Sequence, residues 1–409
     1  MIFLILIILI IPIIAIIAIC LLVHFRSKNS NKKVTGPTGG STGGPTGGST
    51  GGPTGGSTGG PTGGSTGGPT GGSTGDVGPS SVGNKITSMF VAVGYNNIAY
   101  SSPDGTVWTG VKNADNIFDV GSAVACNGKL WVAVGGILSD DSLKCPIATS
   151  VDGINWKGVI NSRDIFPHGC YSVACNKNLW VVGGPISENS NIATSSDGFN
   201  WKQIENTTIL PRGIAWSPHF QLWFIVGDNS KIPGSNVAFG SVDGNWWYPD
   251  EDILLEQGTA IANNYNYNYL IGIGKAGDKC AVIYNGTTRG GWATTSFTDY
   301  FSEIGNGIAI DSNSNLVMVG IDKDLYSIIA ISSEGIISKK SNLFSAGNGI
   351  ATNDKVWVAV GSPLDDLTPK KYTIAISGSN WKWIGIENSS ELFTTPLGCL
   401  GVAWGEPKE

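Results

Sequence analysis

The stretch IATSSDGFNW, Ile192 to Trp201, occurs in four variants about 45 residues apart. IATSVDGINW runs from Ile147 to Trp156, IAYSSPDGTVW from Ile98 to Trp108, and VAFGSVDGNWW from Val237 to Trp247. A segment repeated at that period is a structural unit before it is an active site. Each copy reads as a strand, a tight turn and a second strand. Asp-Gly is a strong hairpin signal, because Gly supplies a backbone conformation with positive φ and Asp accepts hydrogen bonds from the turn.

The rest of each unit can be read outward from this hairpin. Apolar runs ending in Gly recur as MFVAVG (from Met89), LWVAVG (Leu130), LWVVGG (Leu179), LWFIVG (Leu222), YLIGIG (Tyr269), LVMVG (Leu316) and VWVAVG (Val356). Unbroken apolar runs of this length predict strands covered on both faces. One more short strand precedes each later run: SAVAC, YSVAC, GIAWS, GTAIAN, GIAID and GIATN. The first run has no such predecessor, whereas a spare copy, GVAWG (Gly401–Gly405), ends the chain. The pattern predicts an all-β fold, a seven-bladed β-propeller of four-stranded blades, with the C-terminal strand completing the first blade. No helical pattern of any length interrupts it.

In four units the turn carries Ser, Asp, Gly and Trp at fixed spacing: Ser102/Asp104/Gly105/Trp108, Ser150/Asp152/Gly153/Trp156, Ser195/Asp197/Gly198/Trp201 and Ser241/Asp243/Gly244/Trp247. This resembles the Asp-box of BNR or sialidase-like repeats, in which those residues staple the hairpin between the two outer strands. The family has a residue between Asp and Gly and a Thr before Trp, and this chain has neither. The fifth to seventh units keep only YNGTTRGGW, SSEGII and ISGSNW. The resemblance implies a structural role for these aspartates. It also raises the sialidase reaction, which uses an arginine triad, a Tyr nucleophile with a Glu partner, and an Asp acid. The globular part has three arginines, Arg163, Arg212 and Arg289, but lacks the Arg-Ile-Pro signature, and no Tyr/Glu pair stands out by spacing. A non-catalytic head is therefore the expectation, with a sialidase-like glycosidase and a purely structural surface protein as alternatives.

Ahead of the repeats, Met1–Val23 is almost wholly aliphatic and is long enough to cross a bilayer core of about 30 Å. No basic residue precedes it and no A-x-A site follows, which favours an anchor over residues 1–25 against a cleaved signal peptide. Residues 26–35 carry Arg26, Lys28, Lys32 and Lys33 without an acid. That flank predicts a cytoplasmic-facing head on a single-pass membrane protein. The sequons at Asn206, Asn285 and Asn388 argue for the other side. Residues 36–76 contain five copies of GPTGGSTG. Their glycines drift out of the three-residue phase that collagen needs, so a disordered spacer with a typical span of about 35 Å is expected. An anchor, a low-complexity stalk and an Ile/Asn-rich bias together look like proteins of large DNA viruses.

Residues 77–409 form the predicted propeller. Removing the first 33 residues takes away four of the 25 basic side chains and none of the 31 acidic ones, leaving a net charge of −10. Nothing in that balance attracts a nucleic acid. The seven cysteines show no C-x-x-C pair, and Cys126 and Cys175, in AVAC and SVAC, read as small buried residues. No cofactor or metal is expected. Asp140-Asp141 and Asp365-Asp366 read as solvated loops sooner than calcium ligands, which number six or more oxygens. The expected partners are the membrane, through residues 1–25, and a protein or glycan at the channel mouth. The loops entering each innermost strand carry different polar groups there: Asp119, His168, Arg212, Glu256, Gln257, Asn306 and Asn348, with Leu397 in the last. Loops on a rigid scaffold are where recognition tends to reside.

Overall fold

A computed structural model describes residues 87–407, apart from 139–143, 188–189, 206–208, 230–236, 250–254, 265–267, 278, 286–291, 296–300, 323–326, 333–334, 339–342 and 365–370. The apolar run, the basic flank, the GPTGGSTG repeats, Asn206 and the two Asp pairs lie outside the described residues. Among the described residues no helix is long and apolar enough to cross a membrane.

The chain is an all-β propeller. Among the described residues its strands form seven four-stranded antiparallel sheets. The first holds β1 (Met89–Gly94), β2 (Asn97–Ser101) and β3 (Trp108–Gly110). The second runs through β4 (Val120–Cys126), β5 (Trp131–Gly136), β6 (Ile147–Ser150) and β7 (Lys157–Gly158), and the third through β8 (Ser172–Cys175), β9 (Trp180–Ser187), β10 (Ser190–Ser195) and β11 (Lys202–Glu205). The fourth holds β12 (Ile209–Ser217), β13 (Leu222–Asn229), β14 (Val237–Gly240) and β15 (Trp247–Pro249). The fifth holds β16 (Gln257–Asn264), β17 (Tyr269–Ala276), β18 (Lys279–Asn285) and β19 (Trp292–Thr295). The sixth holds β20 (Ile304–Ile310), β21 (Leu316–Ile321), β22 (Ile328–Ser332) and β23 (Gly335–Ser338). The seventh holds β24 (Ala346–Thr352), β25 (Trp357–Ser362), β26 (Ile374–Ser377) and β27 (Ile384–Gly385). The last strand, β28 (Cys399–Gly405), returns to the first sheet and pairs with β1, Ala92 opposite Val402 and Phe90 opposite Trp404. The units with degraded turns therefore keep four strands each.

The inner strands neighbour one another in the order β4, β8, β12, β16, β20, β24, β28 and back to β4, which closes the ring. Each buried cluster sits between two successive sheets. Met89, Val91 and Val93 pack on Val124, Trp131 and Ala133 of the second sheet, while their alternate neighbours Phe90 and Ala92 pack on Val358 and Val360 of the seventh. A strand whose successive side chains point to opposite faces must be apolar at every position when both faces are covered. That accounts for the unbroken runs.

Among the described residues, single-turn helices interrupt three connections between sheets, a departure from the helix-free expectation. They are a 3-10 turn at Ala114–Asn116, α1 (Ser162–Ile165) and α2 (Ser389–Leu392). Each has four residues or fewer, too short to leave a periodic pattern in the sequence. Val77–Glu409 forms one compact unit by itself.

Candidate binding site

Antiparallel alternation puts two sets of turns at one end of the ring: those between the first and second strands of each sheet, and those between the third and fourth. The connections that enter the inner strands lie at the opposite end, the channel mouth.

At the turn end, the four Ser/Asp/Gly/Trp motifs share an Asp brace on the N–H two residues on and a Trp bond to the Gly carbonyl. Asp152 Oδ1 accepts from the Ile154 and Asn155 N–H groups at 2.9 and 2.7 Å, and its Oδ2 accepts from the Asn155 side-chain amide at 2.7 Å. Asp197 repeats this with Phe199 and Asn200, all at 2.8 Å. Asp104 holds Thr106 through its N–H and hydroxyl, and Asp243 holds Asn245. The indole N–H of Trp108, Trp156, Trp201 and Trp247 donates to the carbonyl of Gly105, Gly153, Gly198 and Gly244 respectively, at 2.8 to 3.0 Å. These four glycines have φ between 68 and 80°. Gly198 also lies against Leu130 and Val132 of the preceding sheet, and Gly244 against Leu179 and Val181. The motif therefore fastens a hairpin and packs it on its neighbour.

The carboxylates respond accordingly. At Asp152 burial alone would raise the pKa, but the Asn155 N–H and amide, the Ile154 N–H and the Ser150 hydroxyl outweigh it and hold the group down at about 2. The Asn200 N–H, with its amide and the Phe199 N–H, holds Asp197 well below the usual range. Of the four, only Asp152 is buried; Asp104, Asp197 and Asp243 are exposed. A depressed carboxylate pKa contributes stability above the unfolded value of about 4 and loses it as the pH falls through the folded value. For Asp152 this amounts to about 2 kcal/mol, lost between about pH 4 and 2. Asp152→Ala should cost about 1–3 kcal/mol at neutral pH and flatten part of the acid fall in Tm, followed by circular dichroism from pH 7 to 2. An unchanged acid profile would show that the turn does not carry the titration.

A second brace, which the hairpin reading missed, holds inner turns. Asn127, Asn176, Asp311 and Asn353 each accept two backbone N–H bonds two to four residues on, such as Lys129 and Leu130 to Asn127 at 3.0 and 2.9 Å. The signal was present in CNGKL, CNKNL and TNDKV.

At the mouth, each inner strand carries one extra residue opposite its partner. Pairing slips between Gly121 and Ala123, Pro211 and Gly213, Gly258 and Ala260, Gly305 and Gly307, Gly347 and Gly349, and opposite Val93/Gly94. In the third sheet Tyr171 takes that place, its N–H donating to the Gly183 carbonyl while Cys170 turns to Gly135. These β-bulges explain why the apolar runs end in Gly. On Gly94, Gly135, Gly184, Gly227, Gly274, Gly320 and Gly361 an added Cβ would collide with a carbonyl oxygen of the entering chain. The bulge re-aims side chains at the rim.

The bulge residues are Ser122, Tyr171, Arg212, Thr259, Asn306, Asn348 and Leu400, all at least partly exposed. Of the residues expected at the mouth, Arg212, Asn306 and Asn348 occupy this ring. Gln257 opens β16 opposite Lys275, and Glu256 and His168 are exposed in the approaching turns. Asp119 also lies in an approach, as a brace, accepting from the Leu138 N–H at 2.6 Å and pairing with Lys144. Aligning the repeats on Gly set these positions out of register; aligning them on the SAVAC, YSVAC and GIAWS cores would have found Ser122, Tyr171, Thr259 and Leu400.

Three of the ring members reach to the next sheet. Asn306 donates to Gly347 O at 2.9 Å, Asn348 to Cys399 O at 3.0 Å, and Thr259 to Gly305 O. Arg212 and Tyr171 are presented differently. The guanidinium pairs with Asp228 at 2.7 Å and lies 5.6 Å from the centre of the Tyr171 ring, with both side chains near 40% exposed. Arg163 belongs to α1, and Arg289 lies outside the described residues. Cys126 and Cys175 are half-buried rather than buried as expected, and burial pushes Cys280 up to about 12.

No protein-family model matches the chain, and no curated protein matches it. A solved structure described as "Crystal structure of Nidogen/Laminin Complex" is similar over 79% of this chain and 100% of its own, at 12% identity and a TM-score of 0.49.

Proposed function

We propose that the protein is a non-catalytic recognition head, a seven-bladed propeller of the Asp-box type held to a membrane by residues 1–25, that binds a protein or glycan at the bulged mouth. One observation carries this reading. Seven structurally equivalent rim positions hold six different residue types, on a scaffold whose turn motifs and strand-ending glycines recur. A requirement of the fold would be met in the same way each time, as it is at the turns. The Tyr171–Arg212 pair is the best-equipped part of the rim. A planar cation stacked on an aromatic ring, both exposed and held by Asp228, is the residue pairing on which binding energy concentrates.

A glycan array probed with residues 77–409, run beside a fluorogenic sialoside assay, tests the proposal. Binding without turnover is expected, and Tyr171→Ala or Arg212→Ala should weaken any captured glycan at least tenfold. Turnover would make the protein an enzyme, and silence in both assays would favour the structural role over glycan recognition.

A further inference from the structure

The turn end of the ring exposes apolar side chains that its fold does not use. Phe199 and Trp246, at the tips of the third and fourth Asp turns, are 51% and 67% exposed, and Ile154 stands at the equivalent tip of the second. The turns use only backbone N–H groups at these positions, Ile154 and Phe199 donating to Asp152 and Asp197 and Trp246 to the Ser241 hydroxyl, and place no demand on the side chains. Lys157 and Lys202 follow the Trp of the second and third motifs, and Lys177 stands in the inner turn of the third sheet; all three are exposed. Lys202 reaches Asn245 of the next turn at 3.4 Å, so the third and fourth tips abut. The acids interspersed among them, Asp152, Asp197 and Asp243, have their oxygens turned to N–H donors of their own turns.

We propose that this end of the propeller docks on an anionic lipid surface. Aromatic and aliphatic tips enter the headgroup layer, where amphipathic aromatic rings are favoured, and the lysines meet lipid phosphate and carboxylate groups. Two features select lipid over other occupants. The cations flank the apolar tips, as they do in interfacial membrane-binding elements. The same chain also carries, in Met1–Val23, an apolar run of membrane-spanning length. Docking by this end turns the bulged mouth away from the bilayer, toward a ligand. The inference rests on the anchored reading only for the nearness of a membrane.

The test uses residues 77–409, a compact unit with a self-closing ring, so that the apolar run cannot bind in its place. The probes are phosphatidylcholine vesicles with and without about one-third phosphatidylserine. Co-sedimentation is expected with the anionic vesicles and should weaken with salt. Lys157→Gln and Lys202→Gln should each weaken it about fivefold, and Phe199→Ser with Trp246→Ser about tenfold, at unchanged Tm. Arg212→Ala, at the opposite mouth, should leave it intact. No binding to anionic vesicles, or binding indifferent to these four substitutions, would overturn the proposal while leaving the anchor reading standing. So would a dimer seen in sedimentation that the substitutions dissolve without any vesicle binding. An adherent head whose full-length chain proves to have no anchor would keep the docking surface and remove the anchor.

Discussion

A chain ended at Leu400 should aggregate on expression or melt far below the complete propeller. The cut removes all but the first two residues of β28, the inner strand of the first sheet. It leaves β1, buried along its whole length, with a bare apolar edge, and such edges recruit other chains. It also removes Trp404, whose ring lies 4.8 Å from that of Phe90, and Val402 from the cluster shared with the seventh sheet. Losing a strand with its Trp should exceed the about 3–5 kcal/mol typical of Trp→Ala, a large part of a total of about 5–15 kcal/mol. Removing only Glu406–Glu409 should do little, because β28 ends at Gly405. Thermal melts of the two truncations decide the matter: equal Tm values would mean that β28 does not close the ring.

The second large effect is expected from Gly227→Ala. Gly227 ends the apolar part of β13 opposite the bulge at Arg212, and its new Cβ would overlap the Leu210 carbonyl. Backbone meets backbone there, so no rotamer change relieves the clash. Overpacking costs about 1–3 kcal/mol where side chains can yield, and this site should reach or pass the upper end. The shift should also disturb Arg212, one residue beyond the bulge's first partner, and so weaken both stability and any mouth binding. Gly378→Ala is the control, since nothing lies within 4 Å of its added Cβ. A Gly227→Ala protein that melts with the control would show that the bulge and the glycine are not coupled.

How far the fold was legible depended on which physical demand each residue met. Runs such as LWVAVG could be read as strands covered on both faces because burial on both sides leaves no polar position. The closing strand was legible because GVAWG repeats the inner-strand pattern with no run after it. Asp-Gly-x-x-Trp could be read as a turn because its chemistry is local. The channel mouth was only partly legible. A bulge adds one residue to a strand without altering its composition, so alignment on glycine placed Asp119 and His168 beside Arg212 although they stand in the approaching turns. The glycines ending each run held the missing information, because their cause is a carbonyl on a strand distant in sequence. Nothing local in the sequence could pair Tyr171 with Arg212, which meet only because β8 and β12 are neighbours in the ring.

The two ends of the domain form one sheet, with β28 hydrogen-bonded to β1 from Met89–Gly405 to Gly94–Cys399. Hydrogen exchange followed by mass spectrometry tests it most directly. Peptides covering 89–94 and 399–405 should be protected together, to the level of the other inner strands, and lose protection together in rising denaturant. Rapid exchange over 399–405 beside a protected 89–94 would contradict the closed ring.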